Sequence, residues 1–241
     1  MRMMTTAVKH VLGAGRLFDI FPAGAVTLDR FPELEDIEER ARVTQKAGAQ
    51  PLWEGYRHVR RGHRSAWKKG VRTSDQVRTK SAVGAGFHRL LTALRPNTVV
   101  EFGTAFGVSG MFFLSALEAN GHGRLYTFDP NATWRALALE NLSAVSDRYV
   151  STLGTFEDTH DRVLPMDRPI DIAFVDGIHT ADFVYPQIEI LKRRMRSGGV
   201  LILDDIRFAP DMLTCWEDLA RRDDVGASLE LGSRVGLLEL A

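Results

Sequence analysis

After residue 96 the chain changes periodicity again and again. Short apolar runs rich in β-branched residues end in an acid or a glycine: TVVEFG (98–103), RLYTFDP (124–130), YVSTLG (149–154), IDIAFVD (170–176) and GGVLILDD (198–205). Each leads into a stretch with apolar residues at helical spacing, at 107–120, 133–145, just after 154, at 182–195 and at 211–222. Pro186 is expected in the first turn of its helix, where a missing N–H costs little. Two closely spaced strands, ASLELGS and VGLLELA, close the chain. Continuous apolar strands alternating with helices specify a mostly parallel sheet covered on both faces, with right-handed crossovers and seven strands. In such a doubly wound α/β sheet, ligands bind beyond the C-terminal ends of the strands, near the point where strand order reverses. The acids Glu101, Asp129, Asp176, Asp204 and Asp205 all fall at those ends, so they are expected on one rim.

Residues 1–80 lack this alternation. FPELEDIEERARVTQKAG (31–48) reads as a helix stopped by Gly48, and SAVGAGFHRLLTALRP (81–96) as the helix entering the sheet. The expectation is a helical N-terminal appendage over 1–80, a lid or an oligomer contact, and a ligand-binding domain over 81–241. Gly-x-Gly at 13–15 and at 84–86 follows no convincing strand and is expected to serve turns or helix packing.

The net charge is zero, which gives the chain as a whole no nucleic-acid footprint. The charge is uneven. Residues 1–80 hold 16 Lys/Arg against 9 Asp/Glu, and 57–80 alone hold nine against one, with Tyr56 and Trp67 close by. A solvated face or a subunit contact is the ordinary explanation for such a run. Binding of a nucleic acid or of an acidic substrate is the alternative. The single cysteine, Cys215, cannot form an internal disulfide, and no apolar run reaches the roughly 18 residues that span a bilayer. A cytoplasmic location without membrane contact is expected.

VVEFGTAFGVSG follows a strand and opens a helix, so its glycines let backbone approach a ligand at a helix N-terminus. The spacing is Gly-x-x-x-Gly-x-x-Gly, one residue longer than a dinucleotide fingerprint. Glu101 would repel a pyrophosphate but suits a ligand bearing an ammonium and a sulfonium, as S-adenosylmethionine (SAM) does. Asp129, at the end of the next strand, can accept hydrogen bonds from ribose hydroxyls, a feature that fits NAD equally well. Glu101, Gly103, Thr104, Gly107, Ser109 and Asp129 are therefore the first candidate cofactor ligands.

VVEFGTAFGVSG, YTFDP, DIAFVDGIHTADF and GGVLILDDI together resemble the successive motifs of class I SAM-dependent O-methyltransferases. The likeness is to the metal-dependent catechol and caffeoyl-CoA branch, and within it to macrocin- and mycinamicin-type sugar methyltransferases. It covers about residues 75–241. The resemblance implies a Rossmann-like sheet, with the fourth and fifth strands as neighbours. Asp176, Asp204 and Asp205 would then crowd together, and carboxylates so placed need a cation. The resemblance implies that they hold Mg²⁺ or Mn²⁺, and that His179 is the base that takes the acceptor's proton. It also implies adenine contacts at Thr155 and Phe156, a cofactor contact at Asp176, and substrate contacts at Arg207 and Phe208. Trp134 could flank adenine or belong to the helix core. A small hydroxylated molecule (sugar, phenol or polyketide) is the implied acceptor, and a dimer the implied assembly. Two alternatives stay open: a metal-free methyltransferase acting on nucleic acid or an acidic substrate, and a non-catalytic SAM-binding protein.

Overall fold

The computed structural model describes residues 3–54 and 70–241. Most of the basic run, with Tyr56 and Trp67, lies outside the described residues. The sheet is built on β5 (Thr98–Phe102), which pairs in parallel with β6 (Arg124–Asp129) on one side and β8 (Ile170–Val175) on the other. Beyond β6 lies β7 (Tyr149–Leu153), and beyond β8 lies β9 (Met195–Leu203), both parallel to their neighbours. The hairpin β10 (Val225–Leu231) and β11 (Val235–Leu240) adds antiparallel strands, with β11 beside β9. These are the seven expected strands.

The N-terminal expectation is corrected. Residues 4–13 and 24–28 are strands β1 (Met4–Gly13) and β2 (Gly24–Leu28), and β1 pairs antiparallel with β10, which gives a nine-stranded sheet. Period-two alternation carries them: Val26 and Leu28 are buried while Ala25 and Thr27 are exposed. The first Gly-x-Gly therefore does follow a strand. It sits where β1 gives way to α1 (Arg16–Ile20), far in sequence from the acidic rim, and Gly13 is at φ +76°. The helical part of the segment is α2 (Leu34–Lys46), followed by the short pair β3 (Gln50–Pro51) and β4 (Val71–Arg72) and by α3 (Ser74–Val77).

Every residue of β5 and β8 is buried, because both faces of the sheet are covered. Along β8, Ile172 and Phe174 face one apolar cluster, and Ala173 and Val175 face the other. The first cluster is closed by α4 (Ser81–Leu94) and α5 (Val108–Asn120) through Phe87, Leu90, Phe113 and Leu117. Helix α5 is buried nearly all round, since α2 packs on its outer side through Ile37 and Phe112. Gly84 serves this packing: a Cβ there would lie 2.3 Å from the Phe112 ring. The second cluster is closed by α8 (Ala181–Lys192) and α9 (Pro210–Leu219) through Ile188, Leu191, Met212 and Trp216. Helix α8 starts one residue earlier than its periodicity implies. Pro186 is thus its sixth residue, beyond the first turn, on the exposed side. No helix among the described residues is long and apolar enough to cross a membrane.

Because β1 covers β10, a chain beginning at residue 81 would leave the outer edge of the apolar strand holding Leu229 and Leu231 unpaired. Such edges aggregate. Residues 81–241 expressed alone are expected to elute as aggregate in size-exclusion chromatography, whereas the whole chain elutes as a discrete species.

Candidate active site

Three backbone hydrogen bonds knit the strand ends together. Gly103 N–H donates to Phe128 (2.9 Å), Asp176 N–H to Phe102 (3.1 Å) and Asp204 N–H to Val175 (3.2 Å). The four loops after β5, β6, β8 and β9 therefore share one rim, around a cavity of about 910 Å³. At the reversal point Gly103 is irreplaceable on steric grounds. Its φ is +83°, and a Cβ would stand 2.1 Å from the Asp176 carbonyl oxygen. Ala105 (φ +47°) and Gly107 (φ +80°) continue the left-handed turn, and Gly107 is the N-cap of α5, lying against Ala138.

Behind this loop sits a sealed polar network. The Glu101 carboxylate accepts from Ser109 Oγ (2.5 Å) and Thr127 Oγ1 (2.7 Å), and Thr127 in turn bonds the Thr104 hydroxyl. All four side chains are buried. Burial outweighs the two hydroxyl donors and pushes Glu101 up to about 7. Glu101, Thr104, Gly107 and Ser109 are expected from sequence to touch a cofactor, but none of them forms the cavity wall. They hold the loop that does: Gly103 and Ala105.

Asp129 is on the wall. Its two oxygens accept from the amides of Ala105 and Asn131, both at 2.7 Å, which fixes the carboxylate toward the opening of the loop. Burial raises it to about 6 despite these amides. Asn131 also caps α6 (Ala132–Ser143), its side chain accepting from Thr133 and Trp134. Trp134 lines the cavity while its ring stacks on Phe106 at 4.8 Å. Across the cavity Thr155 caps α7 (Phe156–Val163), and Phe156 stacks on Phe102 at 4.0 Å. Both line the wall.

The acids after β8 and β9 converge as expected, but around a guanidinium. Arg234, in the turn of the closing hairpin, grips Asp204 with two hydrogen bonds: Nε to Oδ1 (2.9 Å) and Nη2 to Oδ2 (2.6 Å). Its Nε is also 2.9 Å from Asp205 Oδ1. His179 Nε2 lies between the remaining carboxylates, 3.6 Å from Asp176 Oδ1 and 3.7 Å from Asp205 Oδ2. Those separations are ion-pair distances, too long for direct hydrogen bonds. Burial, then the charges of Asp204 and Asp205, raise Asp176 well above the usual carboxylate range. Burial and Asp204 raise Asp205 too, against the pull of His179 and Arg234. Burial opposes the Arg234 charge, yet the bonded Asp204 and its neighbours hold that charge more firmly than in free arginine. Asp205 adopts φ +49°, a left-handed setting that aspartate tolerates better than most side chains, and one that turns its carboxylate to the rim.

A family model described as "Methyltransferase domain" matches residues 100–206. No curated protein matches the chain. Solved structures do, at low identity. The O-methyltransferase TomG of Streptomyces achromogenes, involved in tomaymycin synthesis and solved with SAM, is 18% identical (TM-score 0.58), covering 88% of this chain and 100% of its own. An O-methyltransferase of Bacillus cereus, with SAH, is 15% identical (TM-score 0.55; 93% and 95% covered). The SAH-bound methyltransferase PaMTH1 of Podospora anserina is 12% identical (TM-score 0.58; 88% and 99% covered).

The fold is that of the solved class I methyltransferases, and residues 100–206 are similar to a methyltransferase domain.

The structure places seven of the candidates read from sequence on one wall: Gly103, Asp129, Thr155, Phe156, Asp176, His179 and Asp205. Phe208 is there as well, 5.4 Å from the His179 ring. Arg207 is turned away, pairing with Glu230 and the Ser233 carbonyl. The expected metal is not shown. The Asp176, Asp204 and Asp205 set is assembled, but Arg234 donates to both oxygens of Asp204, and no cluster of three or more His, Cys, Asp or Glu that could hold a metal is found among the described residues. Arg234 was missed because it lies in a hairpin turn, and nothing in LGSRVG sets one arginine apart. The only available signal was charge balance: three crowded acids need a cation, and the strand beside β9 is the nearest source.

The Glu101 carboxyl is neutral in the fold up to about pH 7, well above its ordinary 4.5. Its ionisation therefore erodes stability as pH rises from about 4.5 through about 7, and costs nothing below that window. Glu101→Gln keeps the shape without the charge. It is expected to raise Tm by roughly 5 °C at pH 8.5 and to leave Tm unchanged near pH 4.5, by thermal denaturation across pH.

Proposed function

We propose that the protein transfers the methyl group of SAM to a hydroxyl of a small molecule, with His179 as the general base. The observation that carries this reading is the placement of His179 Nε2 between Asp176 and Asp205 on the same cavity wall as the Gly103 loop and Asp129. A SAM-sized ligand and a small acceptor suit the volume of this cavity. Two of the similar structures bear the name O-methyltransferase, and the three hold SAM or SAH, which supports the choice of cofactor and of reaction.

Each role follows from chemistry at the wall. Asp129, held by two amides, keeps lone pairs for ribose hydroxyls. Thr155, Phe156 and Trp134 offer an apolar slot for adenine. The loop at Gly103 and Ala105 lets the backbone come close to the methionine portion. The acidic rim favours a sulfonium cation held before it. The acceptor oxygen attacks the methyl carbon as the carbon–sulfur bond breaks, and its proton passes to His179. The products are the methyl ether, S-adenosylhomocysteine and an imidazolium, which Asp176 and Asp205 stabilise. The exposed Phe208 ring and Phe183 form an apolar bed for the acceptor's carbon skeleton. The donor set does not suit a metal-assisted version of the reaction, because Asp204 is fully engaged by Arg234.

SAM is expected to bind the isolated protein with micromolar affinity in isothermal titration. Failure to bind SAM would sink the reading. Asp129→Ala is expected to weaken SAM binding at least tenfold, the scale of one lost charge-assisted hydrogen bond. His179→Ala is expected to lower methyl transfer by about 10²–10⁴ while leaving SAM affinity within twofold. Full activity in that variant, by release of S-adenosylhomocysteine, overturns the base assignment.

A further inference from the structure

We propose that Arg234 is the resident cation of this rim, a built-in side chain standing where the carboxylates would otherwise demand a divalent metal. This rests on the proposed methyl transfer for its catalytic meaning, but its geometry stands by itself. Asp204 is 2% exposed, and an isolated charge so placed must be paired or neutralised. Arg234 pairs it through two parallel N–H···O bonds, the fork geometry that a guanidinium makes and an ammonium cannot. The same Nε lies against Asp205, so one fixed cation serves two of the three acids. The third, Asp176, is left to His179. With the fixed charge of Arg234 bonded to both oxygens of Asp204 and set against Asp205, a divalent cation bridging these acids would sit beside a like charge.

The substitution has chemical consequences. A guanidinium keeps its charge across the working pH range and cannot act as a base. It can therefore neutralise the rim without competing with His179 for the acceptor's proton. Two of its three nitrogens, Nε and Nη2, are committed to the acids. Nη1 makes no bond to another described residue, and Arg234 lines the cavity beside Asp205 and His179. Nη1 is thus the donor that would hold the acceptor oxygen as it develops negative charge, the task a metal performs as a Lewis acid. Placement also fits. Arg234 comes from the β10–β11 turn, tied by Ile206 N–H to the Arg234 carbonyl at 3.0 Å, so the guanidinium and the loop bearing Asp204 and Asp205 are held as one unit.

The test is Mn²⁺ binding, followed by loss of the free-ion electron paramagnetic resonance signal, with the whole wild-type chain, Arg234→Met and Arg234→Lys. The wild type is expected to bind no Mn²⁺ up to about 1 mM, near the weak limit of a protein site. Arg234→Met, which frees Asp204 and Asp205, is expected to bind one Mn²⁺ at least tenfold more tightly than the wild type. Arg234→Lys, which keeps the charge, is expected to resemble the wild type. One Mn²⁺ per wild-type chain at micromolar affinity, lost in Asp204→Asn, overturns the proposal, whether or not Arg234→Met folds. A SAM titration on the same samples separates this from the methyltransferase reading. A chain that binds neither SAM nor Mn²⁺ defeats that reading and leaves Arg234 as the resident cation. With any accepted hydroxyl, turnover in EDTA should equal turnover in Mg²⁺. A drop of tenfold or more in EDTA overturns the proposal too.

Discussion

Acids end four neighbouring parallel strands, and the structure has to hold them side by side without letting them repel one another apart. Each is handled by a different means. Glu101 is sealed behind the glycine loop with two hydroxyl donors and is held near neutrality by burial. Asp129 is satisfied by two backbone amides. Asp204 is clamped by Arg234, and Asp176 faces a histidine. Removing Arg234 would leave the buried Asp204 carboxylate unpaired, whereas Arg234 itself is partly open to solvent. The rim therefore depends on its partners as much as on its acids.

The parallel core was legible because its signal is redundant. In IDIAFVD and GGVLILDD, apolar runs too short for a helix end in acids, and helical spacing follows each. Strand ends then located the rim, since side chains leaving the C-terminal ends of parallel strands must meet. The N-terminal strands were not legible from the same rule. MTTAVKHVLG joins the sheet antiparallel and is half exposed along its length, so its pattern is diluted by threonine, lysine and histidine. A strand that leaves one face to solvent, here at Thr5, Ala7 and Lys9, and only half-buries most of the other has little reason to be continuously apolar.

Residue roles were less legible than residue positions. Glu101, Thr104 and Ser109 lie where a ligand contact was expected, yet their side chains point into a private network and support the loop from behind. Sequence reports which strand end a residue occupies but not which way the chain turns one residue later. At 103–107 three left-handed residues decide that direction, and only two of them are glycine. Ala105 carries no mark of its conformation in the sequence. The same holds at Asp205, whose positive φ separates it from Asp204: one carboxylate turns back to the arginine in the buried layer, and its neighbour turns forward to His179.

That divergence explains how two adjacent acids can serve two ends. Had residue 205 continued the extended backbone of β9, its side chain would have pointed to the opposite face of the sheet, as alternation requires. The left-handed turn instead keeps both carboxylates near the rim, 204 below and 205 at the opening, with the Arg234 Nε shared between them. Aspartate tolerates this left-handed conformation, so the turn that brings it to the ion pairs carries a modest cost. The guanidinium thus sets the spacing of the acids, and the spacing leaves His179 a position between two carboxylates from which it can hold a proton.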